Sequence, residues 1–161
     1  MLILSRFRPR LVLASVYFTV LTTLTALASL TPLTAWAEQA DTFGNYKVHY
    51  SAVNSTLIQP EVASQYKILR SRYEGVINIA LQEKTEDGYK GISAALSGTA
   101  SNLLGQQQKL KFTEVREGSA IYYLCNFHFS NEESFKFQID VQPEGSKLKH
   151  TIKFQQKFFT D

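Results

Sequence analysis

Residues Ile121–Val141 read IYYLCNFHFSNEESFKFQIDV. Ile121, Tyr123, Cys125, Phe127 and Phe129 fall on one face of an extended chain, and Tyr122, Leu124, Asn126 and His128 on the other. After Ser130–Glu133 the alternation resumes, with Phe135, Phe137, Ile139 and Val141 opposed to Lys136, Gln138, Asp140 and Gln142. Period-two alternation of aromatic and β-branched residues, broken by a short polar cluster, predicts two strands joined by a turn. Each strand turns one face to a core.

The same pattern extends both ways. Downstream, Pro143–Ser146 is a turn, and Leu148, His150, Ile152, Phe154 and Phe158 alternate with Lys147, Lys149, Lys153 and Lys157. Upstream, a polar strand is predicted over 109–116, and one long strand of small residues over 90–103, with Gly98 marking a bulge or a close backbone approach. Gly105 and the glutamines after it read as a loop. A strand over 73–83 ends at Asp87-Gly88, the favoured hairpin pair. Pro60–Tyr66 reads as a short helix, with Pro60 at its first position and Glu61 at the positive end. From Tyr46, Val48, Tyr50 and Ala52 share one face and Lys47, His49 and Ser51 the other. Phe43–Asn45 is a turn, and residues 38–42 a polar lead.

About seven strands at hairpin spacing, with one short helix near 60–66, predict an all-β fold. Sheets with one wet face pack in pairs, so the expected architecture is an antiparallel two-sheet β-sandwich of immunoglobulin-like size. A closed β-barrel is the alternative.

The first 37 residues are different in kind. Arg6, Arg8 and Arg10 precede an uncharged apolar run, Leu11–Leu30, and Ala35-Trp36-Ala37 places small residues where a signal peptidase cuts. The expectation is a cleavable secretory signal over 1–37, cleaved after Ala37, followed by one domain over 38–161 in the periplasm. An uncleaved segment anchored in the inner membrane is the alternative, since about 20 apolar residues span a bilayer. The chain carries 17 basic and 14 acidic residues. The signal holds three arginines and no acid, so 14 of each sign remain and the mature part has no formal charge. A nucleic-acid partner, which needs surplus clustered Lys and Arg, is not expected. Cys125 is the one cysteine, so an internal disulfide is excluded and the domain rests on its core.

Chemistry-bearing patterns are sparse. No G-x-S-x-G elbow, phosphate loop or H-E-x-x-H motif occurs. His49, His128, His150 and Cys125 lack metal-ligand spacing, so neither a metal nor a cofactor is expected. Cys125, on an apolar face, reads as a small hydrophobe. The lysine row of the last strand reads as protection of an edge strand from pairing with other chains, with contact to acidic lipid headgroups or lipopolysaccharide as the alternative. His49, Tyr50, Asn54 and Thr56, close together in sequence, are the candidate binding residues. Asn54–Thr56 also reads as a turn lock through side-chain bonds to the local backbone.

The segment F-G-x-Y-x-V-H-Y-x-A-x-N-S-T-L at Phe43–Leu57, with Gln59–Ala63, Ile77–Ile79, Leu96–Ala100, Glu117-Gly118 and Ala120–Tyr123, resembles a gammaproteobacterial family of exported proteins of unknown function. The resemblance runs from about Phe43 to Asp161. It implies a periplasmic β-rich domain and supplies no catalytic residues. The expected function is therefore a non-enzymatic domain that binds a periplasmic protein or a cell-envelope component. The alternative is a small hydrolase or ligand-binding enzyme centred on His49, Tyr50 and Asn54, with the histidine as general base.

Overall fold

The structure, a computed structural model, describes residues 39–160; the expected signal segment, 1–37, lies outside them. Strands β1 (Gln39–Phe43), β2 (Tyr46–Asn54), β3 (Glu74–Thr85), β4 (Gly88–Gly91), β7 (Thr113–Glu117) and β8 (Ala120–His128) build one sheet, sheet A. Strands β5 (Ala94–Asn102), β6 (Gln107–Leu110), β9 (Glu133–Pro143) and β10 (His150–Phe158) build the second, sheet B. The order is β1-β2-β3-β8-β7 in sheet A and β10-β9-β5-β6 in sheet B, with every pairing antiparallel. β2 runs along 75–83 on one edge of β3, while β8 takes 74–79 of the other edge and β4 takes 82–85. Neither sheet closes on itself, so the fold is a β-sandwich and not a barrel.

Among the described residues there are ten strands where alternation predicts about seven. The added strands arise mostly where the chain changes sheets without breaking its period. The stretch read as one strand over 90–103 passes from sheet A to sheet B at Ile92-Ser93, giving β4 and β5. The stretch over 109–116 splits at Lys111-Phe112 into β6 and β7, and β6 takes in glutamines expected in a loop. The turn over 130–133 is likewise a crossing: β8 and β9 lie in opposite sheets and face each other across the core instead of pairing. The polar lead over 38–42 is the edge strand β1, which zips onto β2 with Gln39 opposite Tyr50 and Phe43 opposite Tyr46. Leu148, expected to face the core, is exposed ahead of β10.

The core lies between the sheets. Sheet A contributes Val48, Ile77, Ile79, Leu81, Cys125 and Phe127, and sheet B contributes Phe135, Phe137, Ile139, Val141, Ile152 and Phe158. Phe127 is its hub. Its ring stands edge-on to Phe135, Phe137 and Phe158 at centroid distances of 5.8, 5.2 and 5.0 Å. Edge-to-face pairs each add about 0.5–1.5 kcal/mol beyond the area they bury.

The ring has room because its cross-strand neighbour is Gly75, and a Cβ there would collide with the Phe127 ring. Gly98 is a close approach of the second kind. A Cβ on it would lie 2.8 Å from the carbonyl oxygen of Gln138 on the next strand.

Between β2 and β3 the chain makes a 3-10 turn (Ser55–Leu57) and helix α1 (Pro60–Gln65). With six residues α1 is too short to stand alone and is held by packing. Its buried residue is Ala63, while Val62 is exposed. Lys67, in the left-handed conformation at φ 56°, ends the helical turn, and the Ile68 amide donates to the Ala63 carbonyl.

Gly75→Ala is expected to displace the Phe127 ring and destabilise the fold by about 1–3 kcal/mol, as overpacking does. Equilibrium urea unfolding checks this; an unchanged midpoint would show that the ring has slack.

Candidate functional site

The four residues singled out in the sequence divide between surfaces. His49 points to the outer face of sheet A, where its Nε2 lies 3.0 Å from Oε1 of Gln82. Tyr50 points inward, its ring 5.1 Å from Phe154 of sheet B. Asn54 donates from Nδ2 to the Phe159 carbonyl at 2.8 Å, tying the end of β2 to the end of β10. Thr56 is exposed, and its carbonyl accepts from Arg70. Asn54 and Thr56 thus share one end of the sandwich, whereas His49 and Tyr50 face opposite sides. The buried member of the Asn54–Thr56 turn is Ser55: its hydroxyl donates to the Ser71 carbonyl at 3.0 Å and accepts from the Ser71 amide at 2.9 Å.

Tyr50 belongs to a different constellation. Its hydroxyl donates to Oδ1 of Asp41 at 3.3 Å, and Nε2 of His150 lies 3.3 Å from Oδ2 of the same carboxylate. His150 stacks on Phe43 with centroids 4.5 Å apart. Phenol, carboxylate and imidazole therefore bridge β1 and β2 of one sheet to β10 of the other. Burial, with Asp41 adding to it, raises the Tyr50 pKa, so the phenol stays neutral and acts as a donor. The three side chains tie sheet A to sheet B. Sequence reading misses it because Asp41 sits in the stretch taken as a lead and His150 lies 109 positions away.

The opposite edge carries a second tie. The Tyr123 hydroxyl accepts from the Ala94 amide at 2.7 Å and donates to Oε2 of Glu114 at 2.8 Å. Arg116 donates to Oε1 of Glu114 and to the Ser93 hydroxyl, each at 2.7 Å. Ser93, Ala94, Glu114 and Arg116 line an open hollow of 520 Å³ with Gln142, Glu144 and Ser146. The Tyr123 bond, with Arg116 adding to it, outweighs partial desolvation and lowers the Glu114 pKa. Burial raises that of Tyr123, with the Glu114 carboxylate adding to the effect.

The other titratable groups stand apart. Nδ1 of His128 lies 3.2 Å from Glu74 on exposed surface. Burial pushes the Cys125 thiol up to about 11, which makes it a poor nucleophile near neutral pH. Among the described residues no three His, Cys, Asp or Glu side chains gather closely enough to hold a metal ion, and no helix is long and apolar enough to cross a membrane.

One end of the sandwich has a distinct surface. The β5–β6 turn presents Leu103 and Leu104 with relative exposures of 73% and 85%. The turn is braced. Oδ1 of Asn102 accepts from the Leu104 and Gln106 amides, and its Nδ2 donates to Gln106 and Glu133. Gly105, at φ 80°, closes it. Leu57, Tyr73 and Phe159 are exposed at the same end, stitched together by the Asn54–Phe159, Tyr73–Phe129 and Arg72–Thr160 hydrogen bonds. Arg72 lies over the Tyr73 ring at 5.3 Å and Lys157 over Phe159 at 4.9 Å.

An open two-sheet sandwich whose polar groups tie its edges, with an apolar end, defines a class of β-rich domain and no reaction. The chain belongs to the DUF4426 family, a domain of unknown function, whose pattern matches residues 40–161. It is similar to a DUF4426 family protein from Pseudomonas aeruginosa at 39% identity, with 77% of this chain and 96% of that one covered and a TM-score of 0.67. FetP from a uropathogenic Escherichia coli strain, expressed recombinantly in the periplasm, shares the fold at 10% identity and a TM-score of 0.53, over 76% of this chain and 93% of that one. A copper-bound variant of FetP is similar at 11% identity and a TM-score of 0.50, over 76% and 90%. No curated protein matches the sequence.

The depressed pKa of Glu114 has a definite sign. A carboxyl whose folded pKa lies below its ordinary value of 4.5 contributes stability above that value and loses it as pH falls through the folded pKa. Glu114→Gln is therefore expected to flatten part of the loss of stability below about pH 4.5. Unfolding midpoints measured from pH 7 to pH 3 decide it; parallel curves for the two proteins would refute the coupling.

Proposed function

We propose that this is an exported, periplasmic binding domain without catalytic activity, which docks a protein or another cell-envelope component through its apolar end. The observation that carries this reading is the braced Leu103-Leu104 turn. Two adjacent leucines held in solvent by four side-chain hydrogen bonds cost solvation that a turn of polar residues would avoid. An apolar patch with a polar rim is the usual mark of a docking surface. Leu57, Tyr73 and Phe159, exposed at the same end beside Arg70, Arg72 and Lys157, add apolar surface there.

The geometry favours binding over a hydrolase centred on His49, Tyr50 and Asn54, because those side chains serve separate surfaces. Export rests on the basic start, the apolar run and Ala35-Trp36-Ala37.

Two measurements test the reading. Mass spectrometry of the protein recovered from the periplasm is expected to find Glu38 as the first residue; an N-terminus at Met1 would favour the anchored alternative. Leu103→Ser/Leu104→Ser is expected to abolish enrichment of the partner captured by the unaltered protein, at a stability cost within about 0.5 kcal/mol because both side chains lie outside the core. Equal enrichment by the variant would remove the apolar end from the interface.

A further inference from the structure

The outer face of sheet B is laid out as a grid. Antiparallel register sets Lys153 of β10, Gln138 of β9, Thr99 of β5 and Lys109 of β6 in one row. The next row is Gln155, Lys136, Ser101 and Gln107. A shorter third row is Thr151, Asp140 and Ser97. Their alternates in the same strands, Ile152, Phe137, Ile139, Ala100 and Leu110 among them, are buried, so these rows face outward. Two shallow depressions, of 450 and 640 Å³, lie on the face and share Thr99, Gln107 and Gln138, which makes them one trough.

The charge on this face is one-sided. Asp140 is the one acid in the rows, and it is already bound by Nζ of Lys149 at 2.8 Å and by the Thr151 hydroxyl at 2.7 Å. Lys149, first in that pair, and then Thr151 hold the Asp140 pKa below its ordinary value. Lys157 is paired with Glu132 at 2.8 Å. Lys109, Lys136 and Lys153 have no ion pair among the described residues. Strands lie about 4.8 Å apart, so Lys153 and Lys109 stand roughly 14 Å from each other across the trough. Lys136 lies between them, one row along. The mature domain as a whole has no formal charge, so this is a local excess of cations.

Protection of sheet edges explains part of the pattern. β10 and β6 are the edges of sheet B, and lysines there discourage pairing with other chains. Lys136 sits on β9, an inner strand with no edge to guard. Nor does edge protection call for hydroxyls and amides to fill the positions between the ammonium groups. Ser, Thr and Gln side chains both donate and accept, which suits sugar hydroxyls, and ammonium groups are compact donors suited to phosphate. The outward positions of these three rows hold no large apolar or aromatic residue, and Phe137 and Phe154, which also line the trough, alternate with them on the core side; that disfavours a folded protein partner that needs a buried aromatic anchor.

We infer that the outer face of sheet B is a binding surface for a phosphate-bearing glycan, with Lys109, Lys136 and Lys153 taking the phosphates and Thr99, Ser101 and Gln138 the hydroxyls between them. The inference shares the exported location with the proposed function but does not depend on the apolar end.

The test uses the protein purified after export and four probes: phosphorylated lipopolysaccharide, the same material dephosphorylated, neutral dextran, and phosphatidylglycerol vesicles. Binding to phosphorylated lipopolysaccharide is expected at low salt and is expected to fall steeply as the Debye length shrinks from about 10 Å toward 3 Å between 0.1 and 1 M salt. Lys136→Ala/Lys153→Ala is expected to weaken it at least about tenfold, equivalent to about 1.4 kcal/mol. Lys84→Ala/Lys90→Ala, on sheet A, and Leu103→Ser/Leu104→Ser are expected to leave it unchanged, which separates this surface from the apolar end. Circular dichroism and thermal midpoints establish that each variant is folded. Equal binding of the dephosphorylated glycan, equal loss from the Lys84/Lys90 variant, or full retention by the Lys136/Lys153 variant would overturn the inference. Vesicle binding as strong as glycan binding would assign the phosphate to lipid headgroups and overturn it as well.

Discussion

The ring of Phe127 occupies the space that Gly75 leaves, and the packing of the sandwich follows from that placement. On a paired strand a glycine is a weak point, because it has no side chain to cover its neighbours and more backbone freedom to lose. Here the ring across the ladder covers it. With the ring laid over Gly75, its edges are free to meet Phe135, Phe137 and Phe158 of the other sheet. Phe158 belongs to β10, which ends the sheet B order, so the contact extends from a central strand of sheet A to the margin of sheet B. Phe137 then stacks on Phe154 at 4.7 Å, and Phe154 meets Tyr50. One cross-strand substitution of hydrogen for a side chain thus underlies an aromatic chain that crosses the core.

Two stacked sheets share no backbone ladder, so their open edges need other ties. Along the β1–β2 edge these are Asp41 with His150, Gln156 donating to the Ala52 carbonyl, and Asn54 donating to the Phe159 carbonyl. Along the β7–β8 edge they are Tyr123 with Ala94 and Glu114, and Gln108 in a two-way bond with the His128 backbone. Several half-buried polar groups along the two edges are committed to this work. That commitment matters for function. A group that holds two sheets together has fixed geometry and satisfied partners. The histidine, tyrosines and carboxylates that invite a mechanistic reading are in large part the fastenings of the fold.

Period and turn chemistry made the sandwich class legible, because both depend on neighbours within a few residues. The face assignments of Tyr46, Val48, Tyr50 and Ala52, and of the β8 and β9 residues, follow directly from alternation. What alternation cannot register is a change of sheet. At Ile92-Ser93 and Lys111-Phe112 the chain crosses the core without a proline or a polar cluster to mark it, so single runs there are two strands. The Ser130–Glu133 turn shows the complementary ambiguity: a hairpin and a crossing arch have the same pattern, and only the facing phenylalanines decide between them. The site was less legible for the same reason. His49 and Tyr50 are adjacent in sequence and therefore opposed in space, while the partner of Asp41 is 109 residues away. The register that lines up Lys153, Gln138, Thr99 and Lys109 joins four strands whose order no local signal reveals.

The two surfaces left uncommitted by the fastenings differ in kind, and their positions explain why they do not interfere. The apolar end is built from turns, whose side chains can change without disturbing a ladder. The cationic face is built from strand residues, whose spacing is set by the sheet and is therefore regular. A turn suits a partner that inserts side chains around two leucines; a regular array suits a repeating polymer with charges at intervals. Asn102 and Glu133 mark the boundary between them. Asn102 braces the leucine turn and accepts the same cross-strand register, opposite Phe135, that continues into the Ser101–Lys136 row. The end of β5 therefore fixes both surfaces at once, and each is presented on rigid backbone without a separate scaffold of its own.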